Sequence, residues 1–231
     1  MKIRKVWFGL IVLLIVFMCL VLGYGVYESI LKADEYVRIY VKNAKVEDDE
    51  TINSEVATLG DLNVRLSTFK IVPVEEGDRS GTIYVDEDGN ETVEEYLRRI
   101  EVGVELSYKD KVLLEPYFDY ILYDEDNKIV GSNGVRDKNF DAFLKEKYGI
   151  NDYSQFNLNG EHRAGNGGAC FYEGKNDDPL HIEKYSHWDI YNDYEPTNKY
   201  YLRIYNIKYR VEGSSEYITH DNEMIEFVLE R

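Results

Sequence analysis

From Val6 to Tyr27 the chain carries no charged side chain, and Lys2, Arg4 and Lys5 stand immediately before that run. A helix needs about 20 apolar residues to cross a bilayer, because no water is present there to satisfy its backbone. This run is long enough, and the cations ahead of it hold its start in the cytoplasm. Residues 1–30 therefore read as a basic start and a single transmembrane anchor, and 31–231 as an extracytoplasmic domain. A cleaved signal peptide is the alternative. It calls for a shorter apolar run and a small-x-small site, of which Gly23-Tyr24-Gly25 is a poor version. A lipid-modified Cys19 is set aside, since Met18 precedes it and the apolar run continues beyond it.

Charge and cysteine then bound the outer part. All 44 carboxylates lie beyond the anchor against 24 of the 27 cations, a formal charge of −20. Such a field disfavours nucleic acid and anionic lipid, and keeps a surface domain soluble. With Cys19 in the anchor and Cys170 outside it, no internal disulfide is available. The fold must stand on its hydrophobic core.

Strand signals dominate the remainder. Residues 35–42 alternate, with Val37, Ile39 and Val41 on one face. Leu62, Val64 and Leu66 are in phase within 60–72, and a shift near Thr68 predicts a bulge. Residues 82–93 read as a hairpin around Asp88-Gly89, a dipeptide that supplies the positive φ of a tight turn. Further strands are expected at 100–108, 115–131 (a pair joined by an acidic turn), 200–211 and 223–230. Two helices compete with this pattern. Thr92 and Glu95 form a capping box, and Val93, Tyr96, Leu97 and Ile100 follow helical spacing, so a turn or two of helix is expected there. Residues 139–149 form the better helix, with Phe140, Phe143 and Leu144 on one face and Gly149 as terminator. Many short strands without a βαβ rhythm indicate a mainly β protein, an antiparallel sandwich, with about 134–196 as a helix- and loop-containing insertion.

The order GDLNVRL, IEVGVELSYKD, FDYILYDEDNKIVG resembles a family of immunoglobulin-like, telokin-like sandwiches of unknown function. These stand on the outer face of Gram-positive bacteria behind a membrane anchor or lipid. The resemblance covers 58–131 and 200–230 and implies an Ig-like fold. It implies no catalytic residue, since the family has no established active site.

Three kinds of chemistry are legible. Asp86, Asp88 and Glu95 fall on EF-hand ligand positions, but Tyr84 occupies the first position and a strand precedes the turn, so a plain hairpin explains them. His162, His181 and His187 match no zinc spacing. Cys170 follows the glycine-rich stretch that holds Gly165, Gly167 and Gly168, with His162 as the one base nearby. Gly168-Ala169-Cys170-Phe171-Tyr172 lacks the second glycine of a nucleophile elbow, and the cysteine reads instead as a small hydrophobe on a buried strand edge. Aromatic residues carry more information. Of the 21 tyrosines, Tyr172, Tyr185, Tyr191 and Tyr194 cluster with Trp188, and such side chains suit protein or sugar surfaces as well as half-buried strand positions. The expected function is a non-enzymatic, membrane-anchored extracytoplasmic binding module without cofactor or bound metal. It contacts another surface protein or a cell-wall glycan through Tyr185, Trp188 and Tyr191. An extracytoplasmic hydrolase using Cys170 with a nearby histidine and a calcium-stabilised surface domain are the alternatives.

Overall fold

A computed structural model describes residues 37–47, 52–85, 88–133, 137–151, 162–166, 170–174 and 178–231. The expected anchor, Val6 to Tyr27, lies outside them. Among the described residues no helix is long and apolar enough to cross a membrane.

The chain is mainly β. Its strands are β1 (Arg38–Val46), β2 (Ile52–Ser54), β3 (Ala57–Leu59), β4 (Leu62–Pro73), β5 (Gly81–Val85), β6 (Glu91–Glu95), β7 (Arg98–Tyr108), β8 (Leu113–Asp124) and β9 (Ile129–Ser132). After helix α1 (Lys138–Tyr148) follow β10 (Gly165–Asn166), β11 (Tyr172–Glu173), β12 (His181–Ile190), β13 (Lys199–Val211), β14 (Ile218–His220) and β15 (Glu223–Glu230). One sheet runs β2-β1-β15-β13-β8-β9, with β14 beside β13. The second runs β10-β12-β7-β4-β3, with β11 beside β12. The hairpin β5–β6 forms a separate two-stranded ribbon.

Alternation explains how the two sheets share one core. Ile100, Val102, Val104 and Leu106 of β7 are buried with Leu202, Ile204 and Ile207 of β13 and with Ile225, Phe227 and Leu229 of β15. Aromatic contacts bridge the layers. Phe69 meets Tyr200 at 5.1 Å, Tyr108 meets Tyr209 at 5.7 Å, and Tyr120 meets Trp188 at 5.3 Å. The Trp188 indole N–H also donates to the Tyr120 hydroxyl at 2.8 Å, giving a buried polar atom its partner inside the core. Gly131 of β9 leaves room for that indole, since a Cβ there would overlap its pyrrole edge.

The second half of β8 is buried on both faces because α1 covers the outside of the first sheet. Phe140, Phe143 and Leu144 of the helix are buried, and Phe143 packs on Tyr123 at 5.0 Å. Both ends of the helix are tied down. Asp137 caps its start by accepting from the Asn139 and Phe140 N–H groups at 2.9 and 2.8 Å. Asn206, at a register shift in β13 and with φ of 50°, donates to both Asp119 (2.8 Å) and Asp137 (2.6 Å). Near the other end, the buried Arg203 guanidinium donates to both Glu146 oxygens at 2.8 and 2.9 Å and also to Glu226. Gly149 ends the helix at φ of 70°.

Several expectations stand: the helix with its Gly149 stop, the register shift between Leu66 and Thr68, and the hairpin with Gly89 at φ of 81°. Others are corrected. Residues 92–95 and 98–100 are strand, with Tyr96 and Leu97 between them, and none of 92–100 is helix. Val93 pairs with Ile83 across the ribbon, and Glu95 sits opposite Gly81 instead of capping a turn. Tyr96, buried between β6 and β7, holds the chain where it turns from the ribbon into the sheet. On β1 the face bearing Ile39 and Val41 is exposed, and Ala44 points to the core. Within 134–196, β12 is a ten-residue strand paired along its length with β7, so this part belongs to the second sheet itself.

Two outcomes follow. Trp188→Ala is expected to lower stability by about 3–5 kcal/mol, as for other buried large aromatics, and Gly131→Ala to destabilise through its overlap with the same ring, both read by urea denaturation. The second concerns acid. The bidentate hydrogen bond from Arg203 holds the Glu146 carboxyl down to about 2, so its contribution is complete above the ordinary glutamate range and is lost as pH falls from about 4.5 towards 2. Glu146→Gln should flatten that part of a stability-versus-pH curve and leave the neutral region's slope unchanged.

Candidate functional site

While α1 covers the outer face of the first sheet, the outer face of the second sheet carries the odd-numbered residues of β12. Inward, Ser186, Trp188 and Ile190 are buried. Outward, the register sets up rows across β4, β7 and β12: Asn63–Ser107–His181, Arg65–Glu105–Glu183, Thr68–Gly103–Tyr185, Lys70–Glu101–His187 and Val72–Arg99–Asp189.

Charge on this face is largely compensated within it. Arg65 forks onto Glu105 through Nε (3.1 Å) and Nη2 (2.7 Å). The Arg99 Nε donates to Asp189 at 3.1 Å, and His181 Nδ1 lies 2.7 Å from Asp178. A hollow of about 220 Å³ opens among Asn63, Arg65, Glu105, Ser107 and His181. Its charged groups already have partners, and its remaining polar groups are an amide and a hydroxyl.

Beside this hollow stand two exposed rings. Tyr172 of β11 is paired in register with Tyr185 of β12, and they are 64% and 38% exposed. Glycines shape the floor beneath Tyr185. A Cβ at Gly103 would lie 2.9 Å from its Cε1 and crowd the Ser67 hydroxyl, and one at Gly174 would strike the ring's other edge. The Ser67 oxygen is buried there without a hydrogen-bond partner in the structure. Burial first, and then the hydrogen bond with Glu183, push the Tyr185 phenol up to about 12.

The three expected contact residues separate. Tyr185 is at the surface. Trp188, expected there, is instead 1% exposed and serves as the centre of the core, because the even positions of β12 face inward. Tyr191 is half-buried against Tyr96, 5.9 Å away, at the root of the ribbon. Tyr194 is also buried, its hydroxyl donating to the buried Asp124 at 2.9 Å. Cys170, expected on a buried edge, is exposed and free. Phe171 turns inward instead, half-buried against the core and 5.0 Å from both Phe118 and Tyr120. The Ser186 hydroxyl donates to the Cys170 carbonyl at 3.3 Å, whereas the His162 ring lies tilted against Tyr148, centroids 4.5 Å apart. His181 and His187 share the outer face of one strand, roughly 20 Å apart by strand rise.

Of the calcium candidates, Asp86 lies outside the described residues. Asp88 stands at the hairpin tip, and Glu95 at the far end of β6 pairs with Arg79 at 3.3 Å. The length of β6, roughly 13 Å, lies between those two. Among the described residues no group of three or more His, Cys, Asp or Glu is placed to hold a metal ion.

Sequence reasoning noted Tyr172 without selecting it and missed Gly103 and Gly174. A signal for Gly103 exists: it is the one residue without a side chain on the outward row Glu101, Gly103, Glu105 and Ser107 of β7, which marks a place where something approaches the backbone closely. Compared with protein-family models, curated proteins and solved structures, the chain matches none.

Gly103→Ala or Gly174→Ala is expected to push the Tyr185 ring outward into water. Its phenol should then titrate below about 12, followed through the ring ¹³Cζ resonance.

Proposed function

We propose that this protein is a non-enzymatic binding module, held outside the cell by an N-terminal membrane anchor, and that its sandwich is of the immunoglobulin-like, telokin-like kind. Its binding face is the outer surface of the second sheet, and its ligand is a glycan of the cell wall or a glycan-bearing surface protein. The observation that carries this reading is the in-register, exposed pair Tyr172 and Tyr185 on a floor cleared by glycines. Tyrosine rings offer an apolar face for the C–H side of a sugar and a hydroxyl at the rim. The adjoining hollow supplies Asn63, Ser107 and His181 for sugar hydroxyls, and its internally paired charges favour a neutral polar ligand over an ion. The rows lie on strands locked into the sandwich, so the face is formed before ligand arrives.

The uncharged run 6–27 and the acidic remainder support the location. Neither the Cys170 hydrolase nor the calcium-stabilised domain has a comparable geometric observation behind it.

Co-sedimentation of the purified protein with insoluble cell-wall glycan tests the reading. Tyr172→Ala with Tyr185→Ala should weaken retention at least tenfold while the melting temperature stays near that of the parent. Unchanged retention would remove this face as the binding surface. External protease applied to intact cells should digest the domain, and protection of the full-length chain would overturn the location.

A further inference from the structure

The ribbon β5–β6 has properties that the proposed binding face does not use. Among the described residues its two strands pair only with each other. The register places Gly81 opposite Glu95, Ile83 opposite Val93 and Val85 opposite Glu91, all on one face. Ile83, Val85 and Val93 are 59%, 62% and 58% exposed. This face is therefore an apolar centre bracketed by a carboxylate at each end. The charge along it is one-sided: from Glu75 to Glu95 the described residues hold Glu75, Glu76, Asp78, Asp88, Glu91, Glu94 and Glu95 against Arg79, with Arg99 reaching the Asp78 carbonyl at the root.

The backbone shows which groups are open. Tyr96 N–H donates to the Ser80 carbonyl at 2.8 Å. In an antiparallel pair, hydrogen-bonded and non-hydrogen-bonded positions alternate. The pairs 81/95, 83/93 and 85/91 therefore turn their N–H and C=O groups outward, away from the partner strand. Asn192 Nδ2 confirms this phase by donating to the outward Glu95 carbonyl at 2.8 Å. That contact closes the root of the β6 edge and leaves Val93 and Glu91 beyond it. The root itself is rigid. Tyr96 is buried, its hydroxyl hydrogen-bonds Thr82, and Ser80 donates to Asp189 of β12.

We infer that the outer edge of β6 is a docking site for a basic, extended peptide segment that adds as a third strand, with cationic side chains opposite Glu91 and Glu95 and a β-branched residue opposite Val93. Main-chain hydrogen bonds from Val93 and Glu91 supply the pairing, and the carboxylates select the partner. A second copy of this chain is disfavoured, because two such edges would bring like charges together.

The test uses the full-length protein and a seven-residue peptide alternating Thr with Lys, Val and Lys, so that Lys, Val and Lys share the face towards Glu91, Val93 and Glu95. Three companion peptides accompany it: the Glu-for-Lys analogue, a composition-matched scrambled form, and a form N-methylated at alternate residues that keeps every charge. Fluorescence anisotropy should show the alternating basic peptide binding at least tenfold more tightly than each of the other three. Hydrogen exchange should slow at the Val93 and Glu91 amides, and Glu91→Lys should weaken binding several-fold without altering the melting temperature. Equal binding of the N-methylated peptide would reduce the contact to charge attraction and overturn strand addition. Absence of binding, or self-association through the ribbon, would overturn the site. Retention on cell-wall glycan through Tyr172 and Tyr185 is a separate measurement and is unaffected by either result.

Discussion

The hydrogen bond between the Trp188 indole and the Tyr120 hydroxyl, buried between the two sheets, is the constraint on which the rest of the structure depends. Without an internal disulfide, the two layers are held by side-chain packing alone. Tyr and Trp fill that space well but each brings a polar atom, and burying one unpaired costs about 1–3 kcal/mol. Pairing the two with each other resolves both. It also fixes the register of the layers, because a one-residue slip of β12 would turn Trp188 outward and leave the Tyr120 hydroxyl stranded. Gly131, where any side chain would meet the indole, shows how tightly this contact is built.

From that register the asymmetry of the molecule follows. The first sheet is covered on its outer face by α1, which is clamped by the Asp119–Asn206–Asp137 network near its start and by Arg203 with Glu146 and Glu226 towards its end. Among the described residues the second sheet has no such cover over its Tyr185 row. With Trp188 inward, Tyr185 is outward by the two-residue period of the strand, and Tyr172 joins it from β11. The exposed tyrosine pair is thus a consequence of the core and not a separate addition. The same strand carries Asp189, which receives the Ser80 hydroxyl and steadies the root of the ribbon.

Much of this architecture was legible. Clean alternation in β7, and in β4 as far as the Thr68 shift, reports directly which residues meet the core, and the positions of the Thr68 shift, the Gly89 turn and the Gly149 stop follow from local backbone chemistry. The failures share one cause. Residues 92–100 satisfy a helical template locally, but the cross-strand partners Ile83 and Val93 are brought together only by the hairpin. Alternation in β1 marks a face without saying which face is buried. Among the aromatic residues near β12, composition separates none from another; the phase of the strand does.

By itself, the sequence determined a β-rich acidic chain with a single cysteine after Cys19, with its turns and the helix that ends before Gly149, because those depend on periodicity, charge and φ preferences within a few residues. Tertiary structure decided that Trp188 is core while Tyr185 is surface, that Cys170 is exposed while Phe171 is half-buried against the core, and that, among the described residues, the β6 edge is open beyond Asn192. Each of those depends on what a distant strand places opposite the residue, and no local pattern encodes the distance between two strands that meet only after folding.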